Sequence, residues 1–163
     1  MGRAVKLSDL TGKTNYFEDF TVGEVIRHAR GKTVEGLENV LITNLVMNTA
    51  QSHFNEHAMK HSPYGGRLSY GGVNFSLAMG LAMQDCGENA LAELGMDNIR
   101  LTNPVVHGDT LYAYSEVLSV EESDREDAGV VTFRHYGVNQ DDKLVFQGDR
   151  RMLIKRRSHW GDR

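Results

Sequence analysis

Apolar residues along this chain fall into three regimes of spacing. Between Leu37 and Val46 they recur at three- and four-residue steps (Leu37, Val40, Leu41, Leu45, Val46), the period of a helix with one apolar stripe. Thr33 stands where a capping hydroxyl belongs, so the helix is expected to run from there to Asn48 or Thr49. The stretch GVNFSLAMGLAM, from Gly72 to Met83, is apolar nearly all round, which places a second helix inside the protein rather than on its surface. Its small residues Ser76, Ala78, Gly80 and Ala82 would let sheet side chains approach the helix backbone. Ahead of both helices, Tyr16, Phe17 and Phe20 offer an aromatic anchor, and a short strand is expected near Glu24 to Arg30.

In the second half the period shortens to two. Ile99 and Leu101 alternate with Arg100 and Thr102, Leu111 and Ala113 with Tyr112 and Tyr114, and Val131 and Phe133 with Thr132 and Arg134. Asn139 to Asp142 reads as a hairpin turn before a strand from Leu144 to Ile154. The segment Gly87 to Gly95 reads as a variable connection, and the KRR run at Lys155 to Arg157 as a solvated strand end. Antiparallel strands joined by short turns and packed on one hydrophobic helix make an α+β layer architecture.

Composition narrows the class. With 163 residues, 40% apolar and 25% charged, the chain has the size of one globular domain, expected over residues 16–163 behind a flexible N-terminal segment, residues 1–15. A net charge of -4 without a basic stripe argues against nucleic acid as a partner. The single cysteine, Cys86, excludes an internal disulfide and a multi-cysteine zinc cluster and is expected to serve packing. His107 and His135 are read as turn and strand residues. No stretch reaches the apolar length of a membrane span, and Met1 to Asp9 lacks the apolar core of a signal peptide, so a cytoplasmic location is expected.

The chemistry concentrates in NTAQSHFNEHAMKHSPYGGRLSYGG, from Asn48 to Gly72. His53, His57 and His61 would share a helix face if the segment were one helix, with Glu56 adding a carboxylate to a zinc- or iron-like donor set. HExxH is absent, however, and Pro63 with the following glycines interrupts regular structure, so no metal is expected. Taken alone, His53 can be a general base, since imidazole titrates near neutrality and can remove and return a proton. It can equally be a hydrogen-bonded loop residue.

The surrounding spacing resembles the MaoC-like, (R)-specific enoyl-CoA hydratase family. That family's signature sets an aspartate five residues before a histidine, then a His-Gly pair opening the central helix. Here the corresponding segments are NTAQSHFN, residues 48–55, and RLSYGGVNFSLAMG, residues 67–80. RLTNPVVHGDTLYAYSEV, residues 100–117, is similar to the family's strand-turn-strand with its Pro-Val and Gly-Asp. YFEDFTVGEVIRH, residues 16–28, and the region Val130 to Arg157 resemble the mesaconyl-CoA hydratase, or β-methylmalyl-CoA dehydratase, branch. Asn48 stands at the aspartate position, Ala50 and Gln51 at the asparagine and proline that follow it, and Tyr70 at the histidine of the pair. His53 and Gly71 match outright.

The resemblance implies a hot dog fold, a CoA thioester substrate with no cofactor, and a homodimer with its site between subunits. It makes His53 the base and places Gly71 where a helix N-terminal N–H can meet the thioester oxygen, with glycine permitting close approach. Asn48, Gln51 and Asn55 would hold the attacking water, because an amide can orient water although it cannot take its proton. Arg67 is a candidate for a CoA phosphate or substrate carboxylate, and Tyr70 and Gly72 flank the substrate position. The readings that follow are reversible hydration of a 2-enoyl-CoA thioester, branched or dicarboxylic in its acyl part, hydrolysis of an acyl-CoA thioester, and non-catalytic binding of acyl-CoA.

Overall fold

The structure, a computed structural model, describes residues 14–161; the expected N-terminal segment lies outside them except for its last two residues. After a 3-10 turn at Phe17–Asp19 come strand β1 (Val25–Thr33) and helix α1 (Gly36–Leu45). Short helices α2 (Gln51–Phe54) and α3 (Glu56–Lys60) precede the long helix α4 (Gly71–Cys86). Strands β2 (Ala90–Leu101), β3 (Thr110–Glu122), β4 (Ala128–Val138) and β5 (Leu144–Lys155) follow, and helix α5 (Arg157–Trp160) ends the order. The strands form one antiparallel sheet in the order β1-β3-β4-β5-β2, and α4 lies against it, chiefly on β3, β1 and β4. Among the described residues no helix is long and apolar enough to cross a membrane.

The two-residue period explains the core. Ala113, Ser115 and Val117 of β3 pair with Gly137, His135 and Phe133 of β4, and all six point to one face. A Cβ on Gly137 would stand 3.2 Å from that of Ala78, which identifies this face as the one under α4. One apolar cluster gathers Phe17, Phe20, Val117, Val131, Phe133, Met152 and Ile154 beside Cys86 at the end of α4; another gathers Val34, Val105, Leu111, Val145 and Phe146 beside Ala78 and Met79.

The sheet-facing row also carries a buried polar seam. Asp85 Oδ2 lies 2.6 Å from His28 Nδ1, His28 Nε2 lies 2.7 Å from Ser115 Oγ, and Ser115 Oγ lies 2.6 Å from His135 Nδ1. Burial first, then the positive fields of Arg150 and His28, push the His135 imidazole from 6.5 down to about 3. The unfolded chain therefore binds a proton near pH 6.5 that the folded chain refuses until about pH 3, so this group removes stability as pH falls through that window. The urea midpoint should fall across the window, and the uncharged amide of His135→Gln should flatten that part of the slope. An unchanged slope would show that His135 takes up its proton normally in the fold.

Four expectations need correction. Thr33 is the last residue of β1, its hydroxyl paired with that of Thr110 at 2.8 Å, and α1 is preceded by Glu35 without a side-chain cap. The expected apolar stripe of α1 faces outward, with Leu37 at 71% and Leu45 at 82% exposure, while Asn39 and Thr43 are buried. Gly87 to Gly95 contains the start of β2, an edge strand paired only to β5 and shifted in register at three places. The KRR run is not solvated at its start: Lys155 is buried and sits 4.9 Å over Trp160, Arg156 lies 4.4 Å over Phe17, and Arg157 4.6 Å over Tyr16. The hairpin turn at Asn139 stands as expected, Asn139 Oδ1 accepting the N–H groups of Asp141 and Lys143 at 3.0 Å each.

Candidate active site

The stretch from Asn48 to Tyr70 is not one loop and not one helix. Ala50 precedes α2, whose third residue is His53; Asn55 closes that turn and caps α3 by accepting from Ala58 N at 3.0 Å. His57 lies on α3 and His61 ends it, their exposed rings edge to face with centroids 5.5 Å apart, while His53 belongs to the separate helix α2. The three histidines do not converge on one point.

His53 turns instead toward the segment leading into α4. Its Nδ1 lies 2.9 Å from the Leu68 carbonyl oxygen. A carbonyl can only accept, so in the neutral ring Nδ1 carries the hydrogen and Nε2 is left with its lone pair, the form a general base needs. The ring also meets that of Tyr70 edge to face, centroids 5.6 Å apart. Tyr70 is the residue before α4, so His53 is held within one residue of the helix N-terminus at Gly71.

Asn39 fastens this approach from α1. Its Oδ1 accepts from Tyr70 N at 2.8 Å and its Nδ2 donates to the Leu68 carbonyl at 3.4 Å. That explains why α1 buries its amide and not its leucines: two polar backbone groups of the inner segment need partners. Asn39 and Thr43, a polar pair four residues apart and so on one face of the helix, are the sequence signal that could have revealed it.

Gly71 opens α4, where the first N–H groups have no acceptor within the helix and the dipole is positive. It lines a cavity of about 310 Å³ together with Leu68, Ser69, Asn74, Tyr64 and the segment 101–105. Side chains press on both glycines: a Cβ on Gly71 would come within 2.3 Å of Leu101 Cδ1, and one on Gly72 within 2.4 Å of the Tyr70 ring. Inside the cavity wall Ser69 Oγ donates to Asn74 Oδ1 at 2.6 Å, a buried pair that sequence reasoning missed.

Of the predicted residues only Gly71 lines this cavity; His53 and the others surround it. Asn48 Oδ1 accepts from Ala50 N at 3.2 Å, and Gln51 Oε1 accepts from Asn55 Nδ2 at 2.9 Å. Arg67 Nε donates to Glu56 Oε2 at 3.0 Å, and the guanidinium holds that carboxyl below the usual carboxylate range. Behind Arg67 lies His107, not foreseen as a neighbour. Glycine at position 36 makes room for both, since a Cβ there would stand 3.2 Å from His107 Nδ1 and 3.4 Å from Arg67 Nη2. Burial, then the Arg67 charge, lowers the His107 imidazole below its ordinary value.

The chain is 41% identical over 108 residues to the β-methylmalyl-CoA dehydratase of Chloroflexus aurantiacus, covering 66% of this chain and 30% of that protein. It is 34% identical over 152 residues to the mesaconyl-CoA hydratase of Haloarcula marismortui, covering 86% of this chain and 42% of that protein. The chain thus spans less than half the length of these curated relatives. A solved MaoC domain dehydratase from Chloroflexus aurantiacus superposes with a TM-score of 0.81 at 34% identity, over 87% of this chain and 45% of that one. A Mycobacterium tuberculosis protein with a double hotdog fold superposes with a TM-score of 0.74 at 21% identity, over 88% of this chain and 45% of its own, and the fold is the hot dog. The profile of the mesaconyl-CoA hydratase family matches residues 25–156, and the chain belongs to that family.

Proposed function

We propose that this chain carries the site of a hydro-lyase that adds water to, and removes it from, the double bond of a 2-enoyl-CoA thioester. The observation that carries the reading is the orientation of His53: the Leu68 carbonyl claims Nδ1–H and leaves the Nε2 lone pair for a base, while the ring packs on Tyr70, the residue before α4. In hydration, Nε2 takes a proton from water as the oxygen bonds to the β-carbon. Charge moves onto the thioester oxygen, where the Gly71 N–H receives it, and the imidazolium returns a proton to the α-carbon. One such donor is worth about 3–4 kcal/mol in the transition state.

Asn48 and Gln51 hold the water through their amide N–H groups, their oxygens being committed to Ala50 N and Asn55 Nδ2. Tyr70 and Gly72 shape the mouth, Asn55 orients Gln51, and Arg67 meets a CoA phosphate or an acyl carboxylate. The relatives named for mesaconyl-CoA favour a branched dicarboxylic acyl group; the same reading takes no cofactor and a homodimer in the cytoplasm.

Loss of enoyl absorbance should be followed against release of free CoA thiol on the same thioesters, straight-chain, branched and dicarboxylic. Absorbance loss without thiol is expected. Thiol release at the same rate would make the protein a thioesterase, and silence in both assays that Asn48→Asp converts into hydration would make it an acyl-CoA binder.

A further inference from the structure

We propose that His28, Cys86 and His135 form a buried binding site for one borderline-soft transition-metal ion, of which zinc(II) is the type case. One ligand atom from each residue lies within 4.8 Å of those of the other two, and the residues are 2%, 1% and 0% exposed. They come from β1, the last turn of α4 and β4, so the fold and not a short sequence motif assembles them. Two imidazole nitrogens and a sulfur suit zinc or copper and do not suit calcium or magnesium.

The hydrogen bonds around the cluster have the form of a metal site's outer shell. Asp85 takes the Nδ1–H of His28 at 2.6 Å, the carboxylate backing that ligating imidazoles commonly have, and turns Nε2 inward. With His28 neutral, Ser115 O–H must donate to that Nε2, so Ser115 Oγ must accept from His135 Nδ1–H. His135 Nε2 is then a bare lone pair in the interior, and among the described residues it has no hydrogen-bond partner. The nitrogen turned toward Ser115 and His28 is Nδ1, so an ion in the cluster takes that nitrogen once the ring hydrogen has moved to Nε2.

The charges balance. A divalent ion with the Cys86 thiolate and the Asp85 carboxylate sums to zero, as burial demands, and neighbouring Arg150 is already paired with Glu93, Nε to Oε2 at 2.7 Å. In the metal-free interior, burial pushes the Cys86 thiol up to about 12, so the ion must displace the thiol proton to solvent as it binds. Tetrahedral zinc ligands lie roughly 3.3–3.6 Å apart, so side-chain shifts of roughly an ångström close the cluster. Ser115 Oγ stands between the two imidazoles, 2.7 Å from His28 Nε2 and 2.6 Å from His135 Nδ1, and the ion would displace that hydroxyl from the centre of the cluster. The same residues also give Asp85, His28 and Ser115 the order of a hydrolase triad, but Ser115 is 0% exposed and held by a second histidine, which bars a substrate. The site sits at the far end of α4, about 22 Å along the axis from Gly71, and its role is to staple helix to sheet.

The test is titration of metal-free, reduced protein with cobalt(II). A thiolate-to-cobalt charge-transfer band saturating at one equivalent is expected. Cys86→Ala should abolish it, Asp85→Asn should weaken cobalt binding about 10–100-fold, and zinc should raise the Tm of the wild type but not of Cys86→Ala. The exposed pair His57 and His61 is the competing site: the band must survive His57→Ala with His61→Ala, a control that serves even if Cys86→Ala does not fold. A folded wild type without the band, or a spectrum lost with the surface pair, overturns the proposal.

Discussion

His53→Ala should lower enoyl-CoA hydration about 100- to 10,000-fold, the range that a positioned general base supplies. The loss should appear in turnover and not in folding. The ring is partly exposed, and its ties are one hydrogen bond to the Leu68 carbonyl and an edge contact with Tyr70. Removing them costs on the order of 1 kcal/mol, against a domain stability of about 5–15 kcal/mol. Asn39 still holds the Leu68 carbonyl and Tyr70 N, so the entrance to α4 keeps its shape. The decisive pair of measurements is progress curves of enoyl absorbance and thermal melts on the same preparation. Near-normal turnover in a folded variant would remove His53 from the chemistry.

The largest structural effect is expected from Phe133→Ala, at about 3–5 kcal/mol. Phe133 is fully buried among Phe17, Phe20, Val117, Val131, Met152 and Ile154, with the Phe20 ring edge-on at 5.0 Å and the His135 ring stacked at 5.8 Å. Its neighbours come from the 3-10 turn, β3, β4 and β5, which are tied by their own hydrogen-bond ladders and cannot collapse into the space left behind. For a chain of this size the cost corresponds to a Tm lower by about 6–20 °C. A shift of only a degree or two would mean that the aromatic cluster repacks freely.

What the sequence disclosed, and what it hid, divides along physical lines. Helix α4 is legible because a helix surrounded by protein needs no polar face, and β3 and β4 are legible because the face under α4 is dry. Strand β2 has one neighbour and slips in register at three places, so its burial never settles into alternation: its first half, up to Gly95, reads as a connection, and only Ile99 to Leu101 read as strand. For α1 the spacing gave the helix but not its direction, since the groups that need burying are the carbonyl of Leu68 and the N–H of Tyr70, which lie about thirty residues away in the chain. In the site, spacing located His53 and Gly71. Ser69 with Asn74 is a local pair across the start of α4 that the spacing did not single out, whereas His107 beside Arg67 depends on contact between distant segments.

The cations stacked on aromatic rings at Arg156 and Arg157 have a geometric corollary. They bring the chain's last strand back to Tyr16 and Phe17, and Arg157 N adds a hydrogen bond to Glu18 Oε2 at 3.0 Å. Entry to and exit from the described fold therefore share one corner. A short tether joining Tyr16 to Trp160 would allow the covalent order to be opened elsewhere with the same layers preserved.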